Sequence, residues 1–415
     1  MAVDRDKALG IYISVPFCRS KCTYCNFASG VYPASEHARY VDRIIADLAS
    51  AGQRATQSGV VLPRPVDSIY LGGGTPSLLA PELIARLFAA IGEGFDVDPR
   101  AEITVECAPG QLADGTLAAL AAAGVNRVSL GVQSFIDREA HSSGRLHSRA
   151  IVADDLRRLR AAGITNLNVD LIAGLAGQTL ASWQESLQVL TGSAVPHASI
   201  YMLEVDEDSR LGREMLAGGA RYHAELVPSD ETIARMYESA IEVLAAAGLN
   251  QYEISNFSLP GFESLHNLRY WQRRPYLGLG LDASSMLRAA TEDRDVEDLG
   301  YVLRSSNTDD LTAYLAGEDH PETAWLSPVS QHEEAWFLGL RLNAGVQVGE
   351  LECEFGARDV GAALHVVREL EKDELLTFAN GLVRLTPRGR LLSNEVFQQF
   401  LGLVPEGELT IPKQR

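Results

Sequence analysis

Short β-rich runs alternate with Ala/Leu-rich stretches of helical period through the first half of the chain. Ile11–Val15, Ser68–Leu71, Ile103–Glu106, Arg127–Gly131, Asn166–Leu171 and Ala198–Leu203 predict strands. Between them Glu36–Ser50, Pro81–Ile91, Gly115–Ala123, Ala150–Ala162 and Leu180–Leu190 predict helices. Pro81 suits a first helical position, where its missing N–H leaves no bond unmade. A helix between each pair of strands is the βα unit of a parallel sheet. The strands read as continuous apolar runs, so both faces are expected to be covered.

The unusual residues fall at the strand ends. A cysteine cluster follows the first strand, Gly72–Pro76 the second, and Glu106 closes the third. Gln133 follows the fourth, Asp170 sits on the fifth, and Glu204 closes the sixth. In a barrel the C-terminal strand ends form one rim, so six distant segments meet there, whereas an open sheet would spread them along an edge. The expected fold is therefore α/β, a partial TIM-like (β/α)6 barrel.

Beyond the barrel, expected over residues 1–215, a segment 216–290 holds the helix Asp230–Ala247 and an aromatic- and glycine-rich stretch, Gln251–Leu281, expected to close over the barrel mouth. Residues 291–327 read as an acidic, loop-like linker. From Pro328 the texture changes. A helix Glu333–Leu342, a hairpin strand Leu382–Leu385 and a closing helix Pro387–Leu401 suggest a small helical or winged-helix-like domain over 328–415.

Composition narrows the function. Thirty-six basic against 55 acidic residues give a net charge of −19, which argues against nucleic acid and anionic membrane as partners. The C-terminal stretch is itself more acidic than basic, so no DNA-binding role is expected of it. No apolar run reaches the ~20 residues that span a bilayer, and the polar first ten residues lack the apolar core of a secretion signal. Five cysteines are too few for a disulfide framework, so a reducing, cytoplasmic setting is expected.

Cys18, Cys22 and Cys25 place three thiols within eight residues, directly after a strand. Buried hydrophobes, a zinc site and an iron–sulfur cluster are the readings to weigh. Structural zinc wants four protein ligands, normally from two paired knuckles, and no second knuckle exists here. A four-iron cluster normally takes four thiolates. With three, one iron keeps an open position for the amino and carboxylate groups of a small molecule; with Cys107 as a fourth donor, the cluster would only carry electrons.

The run Tyr12-Ile13-Ser14-Val15-Pro16-Phe17-Cys18, continued by Cys22 and Cys25, resembles the cluster motif of the radical S-adenosylmethionine (SAM) superfamily. The resemblance covers nearly the whole chain, about Ile11 to Leu401. Gly72–Pro76, Gly131–Ser134, Gly144–His147, Asn168–Leu171, Tyr252–Phe257 and His266–Trp271 place it in the coproporphyrinogen III oxidase-like branch, nearest that branch's heme chaperones. The resemblance implies that Cys18, Cys22 and Cys25 hold a 4Fe–4S cluster whose unique iron chelates SAM for reductive cleavage. It further implies SAM contacts from Tyr12, Tyr24, Gly72, Gly73, Gly74, Thr75, Glu106, Gln133, Arg145 and Asp170.

Within the branch, the oxidases resemble a pattern with an additional cysteine where this chain has Phe27, and they carry an N-terminal extension ahead of the cluster. Here the first strand is expected by Ile11. His266-Asn267-Leu268-Arg269-Tyr270-Trp271 matches the motif proposed to bind heme in the chaperone group, with His266 as the axial ligand; a structural His–Asn–Tyr cluster is the alternative. The implied partners are heme, SAM, an electron donor and heme-acceptor proteins such as respiratory enzymes. SAM cleavage is expected, coproporphyrinogen decarboxylation is not. Asp282-Ala283-Ser284-Ser285, Glu106–Gly110, Gly174–Gln178 and Val205–Ser209 depart from the branch's usual wording. They keep a second class open: a radical enzyme that decarboxylates a porphyrinogen, transfers a methyl group or cyclopropanates.

Overall fold

In the computed structural model, which describes residues 7–207, 209–290, 300–317 and 321–403, the first half is six parallel strands alternating with helices. They run β1 (Leu9–Val15), α1 (Ala34–Gln57), β2 (Pro65–Gly73), α2 (Pro81–Gly94), β3 (Asp96–Cys107) and α3 (Asp114–Ala122). The series continues as β4 (Arg127–Gln133), α4 (Asp137–Ser142), α5 (Arg149–Ala161), β5 (Asn166–Ala173), α6 (Leu180–Gly192) and β6 (His197–Met202). Pro81 opens α2 as expected.

The expectation of uniformly apolar strands needs correcting, because the six strands alternate. On β1, Ile11, Ile13 and Val15 pack outward with Tyr40, Val41 and Ile44 of α1. The opposite set, Ser14, Ser68, Thr104, Ser129, Asn168 and Ser199, is also buried but lies in the barrel interior. Both faces are covered, one by helices and one by a polar network. Asn168 Nδ2 donates to Ser129 Oγ (2.8 Å) and Ser199 Oγ (3.0 Å), and the His197 ring lies between Asn168 Oδ1 (2.6 Å) and the Tyr252 hydroxyl (2.9 Å). Burial of these polar groups is tolerated where they satisfy one another; the Thr104 hydroxyl is left without a partner.

After β6 come α7 (Arg210–Leu216), α8 (Asp230–Ala246), β7 (Asn250–Gln251), β8 (Asn256–Ser258), α9 (Leu265–Trp271), β9 (Tyr276–Leu279) and β10 (Ser284–Arg288). Next are β11 (Val302–Ser306), α10 (Leu311–Ala316) and β12 (Glu322–Leu326). These strands extend the sheet at both ends, in the order β12-β11-β10-β9-β1-β2-β3-β4-β5-β6-β8-β7, so the barrel is partial. The linker expected to be loop-like over 291–327 therefore carries β11, α10 and β12; its residues 291–299 and 318–320 lie outside the described residues.

A second correction concerns α9. The stretch expected over the barrel mouth instead places α9 at the opposite end, where the strands begin. Glu102, low on β3, accepts the backbone N–H groups of Leu265 (3.1 Å) and His266 (3.1 Å). Arg269 is 1% exposed, pairs with Asp67, and donates to the carbonyls of Ala8 (2.7 Å) and Pro275 (2.7 Å). The helix is a plug for the base of the barrel.

The remainder forms α11 (Pro328–Gly339), β13 (Val346–Gln347), α12 (Val348–Phe355), α13 (Ala357–Lys372), β14 (Leu376–Ala379), β15 (Leu382–Leu385), α14 (Pro387–Leu391) and α15 (Ser393–Gln398). Helices and a small antiparallel sheet, β13-β15-β14, share a core in which Trp336 stacks on Phe400 at 5.3 Å. The closing helix expected over 387–401 is two short helices broken at Leu392, and the helix expected from Glu333 starts earlier, at Pro328. Among the described residues no helix is long and apolar enough to cross a membrane.

Candidate functional site

The strand ends and the loop after β1 surround one cavity of about 940 Å³, at the upper end of what small-molecule sites occupy. Its wall holds Cys18, Cys22, Cys25, Tyr24, Gly73, Gly74, Thr75, Glu106, Gln133, Arg145 and Asp170. The tertiary structure thus brings eleven of the fourteen proposed site residues to one place. Tyr12, Gly72 and His266 are not in the wall.

The cysteine loop is tied down at both ends by backbone bonds. Cys18 N donates to Gly30 O (2.9 Å), Thr75 N to Phe17 O (2.8 Å) and Gly74 N to Val15 O (2.9 Å). A Cβ on residue 74 would lie 2.7 Å from Val15 O, and residue 73 has φ +94°, so this close approach of two loops requires glycine at both positions. Polar neighbours reach the sulfurs: Arg145 Nη1 donates to Cys22 Sγ (3.5 Å) and the Thr75 hydroxyl to Cys18 Sγ (3.9 Å). Burial pushes the Cys18 and Cys25 thiols up, and each also feels Cys22.

Opposite the thiols are two buried carboxyls. Burial pushes Glu106 up to about 7; the Tyr70 hydroxyl (2.8 Å) works against this, while the charge of Asp170 adds to it. Asp170 is raised by its own burial against hydrogen bonds from Ser129 (3.0 Å) and Asn168 (2.6 Å). A positive ligand would relieve both. Gln133 sits at φ 70°, a strained conformation for a residue with a side chain, and its buried amide oxygen has no hydrogen-bond partner. Such an orphan acceptor, in a wall that also holds two acids and three thiols, suits a cationic ligand with donor groups.

For a 4Fe–4S cluster with SAM the residues fit: three thiols on one loop, carboxyls and an amide for a sulfonium and an amino group, and Arg145 beside the sulfurs. No histidine lines the cavity among the described residues, which leaves zinc without a further nitrogen donor. Cys107 touches the cavity edge, but it alternates with the inward Glu106 and belongs to the helix-side apolar core, where burial pushes its thiol up to about 12.

For heme iron on His266 the residues do not fit. His266 is 1% exposed; its Nδ1 lies 3.0 Å from Ser68 Oγ and its Nε2 3.0 Å from the Tyr270 hydroxyl, so both ring nitrogens are engaged. The ring packs against Tyr70 (5.3 Å) and Tyr12 (6.3 Å) inside the barrel. This arrangement is the one the structural alternative, a His–Asn–Tyr cluster, describes for His266 and Tyr270, with Ser68 rather than Asn267 on the other ring nitrogen. Gly72 lies just below the rim, where a Cβ would meet Tyr70 and Glu106.

Sequence reasoning missed part of the wall. Tyr201 and Met202 end β6 and Leu203 follows it, and the period of that strand could have indicated them. Arg341, Leu391, Asn394 and Glu395 come from the C-terminal domain, and no local pattern marks them. The departures at Asp282–Ser285 lie on the β9–β10 turn and the start of β10 and do not line the cavity, whereas Glu106–Ala108 and Val205–Asp206 do.

Comparison with known proteins follows the same outline. Residues 12–190 match the Radical SAM superfamily and residues 326–392 the HemN C-terminal domain. The heme chaperone HemW of Lactococcus lactis is 34% identical over 94% of this chain and 96% of its own length. That of Bacillus subtilis is 33% identical over 94% and 98%. Among solved structures, the coproporphyrinogen III oxidase HemN of Escherichia coli superposes with a TM-score of 0.79 over 96% of this chain and 91% of its own, at 22% identity, a likeness of fold.

Proposed function

The chain belongs to the radical SAM superfamily, in its HemN-like branch, and from that premise we propose that it is a heme chaperone. It would bind a 4Fe–4S cluster and SAM in the cavity and pass heme to acceptor proteins, respiratory enzymes among them. The observation that carries this reading is near-full-length identity of about a third to proteins named heme chaperones. Phe27, 60% exposed at the cavity rim, supports it, because it supplies no thiol where the branch's oxidases resemble a cysteine-bearing pattern.

Cys18, Cys22 and Cys25 would hold the cluster. Glu106, Asp170 and Gln133 would receive the amino group and ribose of SAM, with Tyr24 against the adenine and the Gly73–Thr75 turn along the methionyl end. When bound, the pair supplies one-electron reduction of the sulfonium, for which an electron donor is needed. The protein's part is to hold the charges and exclude water. Free thiols at Cys18, Cys22 and Cys25 suit a reducing cytoplasm.

Heme titration of anaerobically reconstituted protein tests the function. Stoichiometric binding followed by transfer to an apo-acceptor supports it; absence of binding together with decarboxylation of coproporphyrinogen III overturns it. His266 sharpens the test. His266→Ala is expected to lower stability by about 1–3 kcal/mol, since it strands the hydroxyls of Ser68 and Tyr270, while the folded protein keeps its heme affinity. Selective loss of heme at unchanged melting temperature would make His266 the ligand.

Glu106 predicts a pH dependence. Burial pushes its carboxyl up to about 7, and only the ionised form attracts the sulfonium cation and fully accepts from the amino group of SAM. SAM affinity should therefore rise with pH across about 6 to 8 and level off above. Glu106→Gln should be weaker by roughly tenfold or more at high pH and nearly flat across the range. Calorimetric titration at several pH values checks it; a wild-type profile without slope would remove Glu106 from the site.

A further inference from the structure

One conspicuous motif, Tyr252–Phe257, is not explained by cluster or SAM. The structure shows what it holds. Leu342, just past α11, forms a β-bridge with Glu253; Asn343 N donates to Tyr252 O (2.9 Å), and Asn343 Nδ2 to Gln251 O (2.7 Å). On its other side the same segment is bound to the barrel, through Ile200 N to Ser255 O (2.7 Å) and the Tyr252 hydroxyl to His197 (2.9 Å). The motif is a clamp between β6 and the turn of the C-terminal domain that begins at Arg341.

The clamp sets Arg341 in the cavity wall. The guanidinium lies 4.3 Å from the centre of the Trp271 ring and 5.8 Å from that of Phe397. Two aromatic contacts orient a planar group and leave its edge to make hydrogen bonds. Its Nε is buried without a hydrogen-bond partner. Burial lowers its affinity for the proton, opposed by the fields of Glu253, Glu204 and Tyr237. The other cations in the wall, Arg19, Lys21 and Arg145, belong to the cysteine loop or contact it, whereas Arg341 comes from the C-terminal domain; the wall also holds the apolar side chains of Ile254 and Leu391, the Tyr237 ring and the carboxylate of Glu204. A fixed, under-bonded guanidinium beside apolar surface suits a carboxylate carried on an apolar body.

We propose that Arg341 reads a carboxylate of the ligand entering the outer part of this cavity, namely a propionate of the tetrapyrrole cargo. The inference rests on the chaperone reading and adds where and by which group the cargo is gripped. It requires no ligand from His266. The carboxylate of SAM itself is the other source of the same chemistry, and the experiment separates the two.

Full-length, cluster-loaded wild type, R341A and R341K are titrated with hemin, with hemin dimethyl ester, whose propionates are masked, and with SAM. Hemin should bind R341A about 10- to 100-fold more weakly than wild type, with R341K between them. Esterification should weaken binding to wild type by a similar factor and make little further difference to R341A. Thermal melting of each variant shows that the losses are not unfolding. Equal hemin affinity in wild type and R341A, or an ester penalty that persists in R341A, overturns the proposal and leaves the chaperone reading standing. Weakened SAM with unchanged hemin assigns Arg341 to SAM and also overturns it. If wild type binds neither hemin nor its ester, the chaperone reading fails and the inference with it.

Discussion

Anaerobically reconstituted Cys18→Ala protein is expected to lack the visible absorption of a 4Fe–4S cluster and to form no 5′-deoxyadenosine from SAM above background. The same holds for Cys22→Ala and Cys25→Ala. Each removes one of only three donors presented by the loop between β1 and α1, and a four-iron cluster held by two thiolates is not retained. Cys107→Ala is the decisive contrast. Its side chain belongs to the core between β3 and the helices, with its thiol pushed up to about 12 by burial, so this variant should keep cluster and cleavage. Loss of the cluster in Cys107→Ala would mean four thiolate ligands and no open iron, and the SAM site would fall with it.

The second large effect lies at the other end of the barrel. Asp67→Ala leaves the Arg269 guanidinium buried at 1% exposure without its carboxylate, and should cost about 3–5 kcal/mol. Two carbonyl acceptors and Ser68 Oγ (3.2 Å) remain, which compensate hydrogen bonding but not charge. The double variant Asp67→Ala/Arg269→Leu should be more stable than Asp67→Ala alone, because it removes the stranded charge. Denaturant midpoints measure both. Equal stability of wild type and Asp67→Ala would show that α9 does not plug the barrel through this pair.

Much of this was legible in order along the chain. The βα alternation, the proline that starts α2 and the rim positions of Glu106, Gln133 and Asp170 all depend on local period and on short motifs. What a strand packs against was less legible: on the buried inward face Asn168 of β5 reaches Ser129 of β4 and Ser199 of β6, while Ser68 of β2 meets His266 and Arg269 of α9, and no single strand shows its partner. The base location of His266 was hidden for a related reason. A histidine with two aromatics nearby reads as a ligand until both ring nitrogens are found engaged by Ser68, about two hundred residues away, and by Tyr270.

By itself the sequence determined the elements, the trio of thiols on one loop and the polar strand ends, because each depends on residues within a turn or two of one another. Only the tertiary structure decided which end of the barrel α9 occupies and that Arg341 of the C-terminal domain meets the cavity. Both follow from contacts between segments far apart in the chain, Glu102 with His266 and Glu253 with Leu342. Such contacts are selected by the free energy of satisfying buried charge and backbone together, and that has no local signature.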